Sequence, residues 1–191
     1  MEKLKDFLSS DGNDAFKADD TESKQKQKDD FRKNPKNIEL AKLYEDIYEY
    51  EEELAAFESE LEIVESHEVE ALADALQTAF PNEGRVFEEE LFAILVATWD
   101  YKVNTKNTHP QEQLDLIKTC TLANVIETLS TAFPDYEGNF KVEVKSAFID
   151  RLKALIAIKK EHIKEETDDI KIAGLKPSYV KRIYKQVHDI K

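Results

Sequence analysis

The side chains of this sequence best suited to a definable chemistry lie near its C-terminus: Lys171, Lys176, Lys181, Arg182 and Lys185, with the hydroxyl donors Ser178 and Tyr179 among them. Cations and neutral donors at helical spacing suit phosphate oxygens and carry no code for base edges. They point to sequence-tolerant contact with the backbone of duplex DNA. A second set is acidic: Glu51, Glu53, Glu58 and Glu60. Carboxylates in that density can stand in for phosphate, which suits a basic protein surface as partner.

Other chemistries find no support. His67, His109, His162 and His188 have no His or Cys neighbour at metal-ligand spacing, and His162, within Lys159-Lys160-Glu161-His162, reads as part of a solvated face. Gly84, Val86 and Glu90 resemble the second half of a calcium loop, but its first and third positions would be Ala79 and Pro81. The second copy of that pattern would open with Phe133 and close with Val144, so oxygen ligands are missing. There is no phosphate-binding glycine loop, nucleophile elbow or Cys–His pair. Carboxylate runs such as Glu88-Glu89-Glu90 follow from composition. The sequence predicts no enzyme, no metal and no cofactor.

The elements that must position the two charged sets are helical. Among 191 residues, 41% are apolar and 36% charged, with only four Gly and five Pro. Such a chain is all-α, since glycine loops and β-branched runs are both scarce. The formal charge of −14 makes the average surface repel phosphate, so any nucleic-acid contact must be local. The single cysteine, Cys120, cannot close an internal disulfide, which predicts a reducing, intracellular, cytoplasmic setting, in a host cell if the protein is viral. The first residues carry acids and no cleavage pattern, and the longest apolar run, Leu91 to Ala97, is about a third of a membrane span. No membrane partner is expected.

Charge is parted along the chain. Residues 37–70 hold thirteen acids and one base, whereas residues 151–191 hold six acids and eleven bases. Residues 1–36 balance nine acids with nine bases and offer little to bury, predicting a flexible polar arm with at most a short helix at Leu4 to Leu8. Residues 37–150 form the expected helical core. Asn37 is read as the N-cap of an acidic helix over 37–70, in which Leu40, Leu43, Ile47, Tyr50, Leu54, Phe57, Leu61 and Val64 follow a heptad pattern. Acids on both flanks of this coiled-coil-like seam disfavour parallel self-pairing. The helix either packs antiparallel within its own chain or meets a basic partner.

An internal repeat follows, at an offset of 53. Leu76-Gln77-Thr78-Ala79-Phe80-Pro81 lies over Leu129-Ser130-Thr131-Ala132-Phe133-Pro134, Phe87 over Phe140 and Glu90 over Glu143. The Phe-Pro phrase ends a helix and polar turn residues follow, so 63–106 and 116–159 read as two related helical hairpins. Trp99, with Phe87, Phe92, Leu95 and Tyr101, is the expected packed centre.

Residues 151–191 then read as a basic, helix-turn-helix-like hairpin: a helix over Ser146 to Lys171, a stop at Gly174, and a second helix over Ser178 to Asp189 with Pro177 in its first turn. Ile170 is larger than a close helix crossing of that motif wants. Through Ile170-Lys171, Gly174-Leu175-Lys176-Pro177 and Val180-Lys181-Arg182 to His188, the stretch from Lys160 to His188 resembles the small double-stranded-DNA-binding proteins of T-even-like phages and the GapR-like nucleoid proteins. That resemblance implies sequence-tolerant contact with duplex phosphates by an oligomer. It covers about thirty residues, and Glu165, Glu166, Asp168 and Asp169 depart from it. The sequence thus predicts a non-enzymatic, homo-oligomeric, duplex-DNA-binding protein, possible phage origin included. Two rivals stay open: an acidic adaptor or inhibitor of a nucleic-acid enzyme, and an assembly factor of a virion or packaging machine.

Overall fold

The computed structural model describes the backbone of residues 12–190, with side chains from residue 23 onward. Among these residues the protein is all-α: nine α-helices and one short 3-10 turn, without a strand. The helices are α1 (Gly12–Lys33), α2 (Pro35–Lys42), α3 (Glu45–Ser66), α4 (Leu72–Ala79), α5 (Phe87–Asn104), α6 (Gln111–Ile117), α7 (Val125–Ala132), α8 (Phe140–Ile172) and α9 (Pro177–His188). They divide between two compact units, residues up to Tyr50 with His162 onward, and residues Glu51–Glu161. The expected boundaries at 36/37 and 150/151 fall inside α2 and α8 respectively.

The first unit replaces much of the expected flexible arm with helix α1. The expected short helix at Leu4 to Leu8 lies outside the described residues. Asn34, not Asn37, caps α2: its side chain accepts from the Lys36 amide at 3.0 Å, and Pro35 takes the first helical position, where a missing N–H costs nothing. Asn37 instead donates from Nδ2 to the Phe31 carbonyl, tying α1 to α2. The expected continuous helix breaks at Leu43–Tyr44, where the Tyr44 amide bonds three residues back to Ala41. This tighter turn rotates the buried stripe, so Ala41, Tyr44 and Ile47 are buried and the heptad residue Leu43 is 46% exposed. Ala41, Tyr44, Ile47, Ile170, Val180 and Tyr184 form this unit's core.

The turn from α8 into α9 shows why Ile170 is large. Gly174 sits at φ +76°, its amide bonds to the Lys171 carbonyl, and the Leu175 amide reaches back to Ile170 at 3.1 Å. That pattern is a Schellman helix stop, which requires a left-handed residue and brings the residue after it onto the helix's last turn. Ile170 is buried and Leu175 packs against the same cluster. The close helix crossing that would need a small residue is not what this turn builds.

The second unit follows the 53-residue repeat in structure. α4 and α7 are eight residues each and start 53 apart, as α5 and α8 do. Phe80 and Phe133 end their helices with nearly equal backbone angles, φ −122° and ψ 60° against φ −128° and ψ 65°. The buried residues match in pairs: Val64 with Ile117, Leu72 with Val125, Leu76 with Leu129, Phe87 with Phe140, Leu95 with Phe148 and Trp99 with Leu152. Even the two buried polar residues, Glu60 and Gln113, occupy equivalent places. α8 begins at Phe140, six residues before the expected Ser146, because the Asn139 side chain accepts from the Val142 amide at its N-terminus.

Candidate nucleic-acid interface

Helix α9 positions the predicted cations. Val180, Ile183 and Tyr184 are buried, which fixes the opposite face outward. Lys176 at the N-cap, Ser178 in the first turn and Arg182 are exposed, and Tyr179 is 40% exposed with the Arg182 guanidinium 5.4 Å from its ring centroid. Lys181 is half-buried, its ammonium 5.6 Å from the Tyr44 ring centroid. Lys185 is half-buried and lines a groove with α1. Lys171 lies apart, on the last turn of α8, paired with Asp168 at 2.6 Å, and this bond holds the Asp168 carboxyl below its ordinary range. Lys176, Ser178, Tyr179, Lys181, Arg182 and Lys185 therefore share one short helix and its cap, and Lys171 does not.

Three further lysines of the expected basic region, all on α8, have acidic partners on α3. Lys153 pairs with Glu65 at 3.5 Å, Lys160 with Glu58 at 2.9 Å, and Lys159 with Glu53. These contacts run antiparallel between α3 and α8, one of the two outcomes open to the acidic helix. Exposed pairs of this kind are each worth about 0–1 kcal/mol and weaken with salt. Glu60 is only 4% exposed and is bound by Arg85, while Glu51 is half-buried. The acidic set expected to meet a partner is thus largely engaged inside the chain.

One basic feature escaped the sequence reading. α1 turns Lys24, Gln27, Lys28, Phe31 and Arg32 toward α9, where Lys185, Gln186, Asp189 and Ile190 form the opposite wall of a groove of about 540 Å³. Arg32 bonds from Nε to the Gln186 carbonyl at 3.3 Å and pairs with Asp189. The spacing of Lys24, Lys28 and Arg32 by four was the available signal. It was hidden because residues 1–36 balance in charge and the cations count as a stripe only once the segment is helical.

A second polar cluster also went unread. Glu143 accepts from Lys102 at 2.5 Å and from Tyr136, and its Oε2 lies 2.9 Å from His109 Nε2. Burial would raise the Glu143 pKa, but the bonds from Lys102, Tyr136 and His109 prevail and hold it below the usual carboxylate range. Burial, then the bond to Glu143, pushes the Tyr136 phenol up to about 12. Its ring stacks on Phe140 at 4.3 Å, as Arg85 sits 4.4 Å over Phe87 in the other repeat. His162, expected on a solvated face, is half-buried with its ring 5.1 Å from Tyr50. No group of side chains able to hold a metal ion occurs among the described residues, and no described helix is long and apolar enough to cross a membrane.

Gly138 makes the Tyr136–Glu143 contact possible. A Cβ there would fall 2.5 Å from Tyr136 Cε1 and 2.7 Å from Glu143 Oε1. Gly138→Ala should therefore cost about 1–3 kcal/mol, as overpacking does. The raised phenol stabilises the fold below pH ~10, and that contribution is lost as pH climbs through its folded value of about 12. Alkaline absorbance titration of the wild type should show the Tyr136 phenol ionising late, and Gly138→Ala should return it toward the ordinary range. An unchanged late phenol in the variant would contradict this geometry.

No family model matches the chain, and comparisons with curated proteins and with solved structures return no match.

Proposed function

We propose that this is a non-enzymatic helical protein that binds duplex DNA without sequence preference, through phosphate contacts along α9. One observation carries the reading: Lys153, Lys159 and Lys160 of α8 pair with acids of α3, whereas Lys176 and Arg182 stay exposed on α9 beside the exposed Tyr179. In a protein of net charge −14, a cationic helix face turned to solvent is a local exception that gives a polyanion its place to bind. Ser178 and Tyr179 add neutral hydroxyls that hydrogen-bond phosphate without adding charge. A homo-oligomer would place several such faces on one duplex and raise weak contacts to useful avidity.

The test is a mobility shift with random-sequence duplex. At 50 mM salt the wild type should retard the DNA, and affinity should fall steeply toward 200 mM. Lys181→Glu with Arg182→Glu should lower affinity by roughly two orders of magnitude or more while far-ultraviolet circular dichroism stays helical. Absence of any shift at low salt would remove the reading.

A further inference from the structure

We infer that the groove between α5 and α8 is where a second copy of this chain docks, the two α8 helices meeting antiparallel about a two-fold axis between Asp150 and Arg151. The surface lies wholly within the second unit. It gives a homo-oligomer its contact face, and it stands whether or not α9 binds DNA.

Spacing along α8 sets up the surface. Ala147, Arg151, Ala154 and Ile158 follow steps of four, three and four, so they form one stripe. Beside it opens a cleft of about 540 Å³, whose α5 wall is Ala93, Ile94, Ala97, Thr98 and Tyr101. Alanines on both walls hold no neighbour away, so a helix ridge can settle there at about 8 Å, the short end of ordinary helix separations. Two large apolar side chains stand at the margins, Tyr101 at 50% exposure and Ile158 at 47%.

Charge selects the occupant. Asp150 and Arg151 are exposed neighbours on this face, and among the described residues neither side chain has a hydrogen-bond or ion-pair partner. In a two-fold contact, if one residue meets a second, the second meets the first. An axis between positions 150 and 151 therefore sets Asp150 against the second copy's Arg151, and Arg151 against its Asp150. A parallel copy in register would instead set carboxylate against carboxylate. The same axis decides what lies further out, because residues equally far from it face each other. Ala147 meets the second copy's Ala154, two small residues where the ridges come closest. Ile158 lies about 11 Å along the helix from the axis, level with position 143 of the facing copy. Lys102 bonds Glu143 at 2.5 Å, which brings its neighbour Tyr101 to that level. The axis that pairs the charges thus covers both exposed apolar side chains, each Ile158 against a Tyr101. Apolar burial supplies affinity, and the two ion pairs supply register.

Sedimentation equilibrium of the nuclease-treated full chain at about 0.1 mM tests this, and the wild type should show twice the chain mass. Arg151→Glu places four carboxylates around the axis and Asp150→Lys places four cations there. Each should weaken the dimer by about tenfold or more while circular dichroism stays helical. Mixing the two variants should restore a dimer of one acidic and one basic copy. A wild type that stays monomeric would overturn the inference and leave the groove to a different protein. A dimer that neither variant weakens would also overturn it, since another face would then join the copies. So would a loss in both variants without recovery on mixing, because the two charges would not then face each other. Lys181→Glu with Arg182→Glu should leave the dimer intact, so the DNA reading and this one fail separately.

Discussion

Replacing Trp99 with alanine should destabilise the second unit by about 3–5 kcal/mol, the cost of emptying a large aromatic site in a packed core. Trp99 is fully buried, meets His109 edge-on at 5.6 Å and carries Lys102 4.3 Å above its ring. Its indole N–H donates to Gln113 Oε1 at 3.3 Å, so the variant also strands a buried amide oxygen. For a chain of this length the loss corresponds to roughly 6–20 °C in melting temperature. Thermal unfolding followed by circular dichroism measures it. A loss below ~1 kcal/mol would mean that the indole is not the centre of the core. Because Trp99 is the chain's sole tryptophan, its emission should shift to longer wavelength as the wild type unfolds.

Arg85→Ala should be comparably damaging, for an electrostatic reason. The Arg85 guanidinium bonds Glu60, Glu83 at 3.1 Å and Glu90 at 2.6–3.1 Å, and these carboxylates, Glu90 foremost, hold it firmly protonated. Glu60 is 4% exposed, so removing its counter-charge leaves a buried carboxylate unpaired, at a cost of about 3–5 kcal/mol near neutral pH. Adding Glu60→Leu should recover much of the loss, since a well-packed apolar group needs no partner. Denaturant melts of both variants at pH 7 measure this. A loss below ~1 kcal/mol for Arg85→Ala would show that Glu60 reaches water in solution.

Helix content, the Phe-Pro stops, the 53-residue repeat and the packing of Trp99 were all legible in the residues, because periodicity and helix-breaking chemistry act locally. What was not legible depended on three-dimensional phase. Nothing in composition marks the one tightened turn at Tyr44 that puts Leu43 outside and Ala41 inside. The heptad through α3 is regular on paper, yet its first part serves the Tyr44 and Tyr184 core while Phe57, Leu61 and Val64 serve the other. The same holds for the cations. α9 announced itself by a strongly two-sided pattern, whereas α1 carries its lysines among acids and glutamines and becomes a stripe only when wound. Glu143 gathers Lys102, His109 and Tyr136 from three separate places in the chain, with spacings that match no local motif.

The equivalence of Glu60 with Gln113, and of Phe87 with Phe140, has a consequence for ancestry. A gene needs to encode only one such half: tandem copying of a 53-codon segment supplies a mate whose apolar ridges already complement the original. Once two copies share the burden, the places of Glu60 and Gln113 are free to drift to separate solutions, ionic with Arg85 at the first and a neutral amide-to-indole bond at the second.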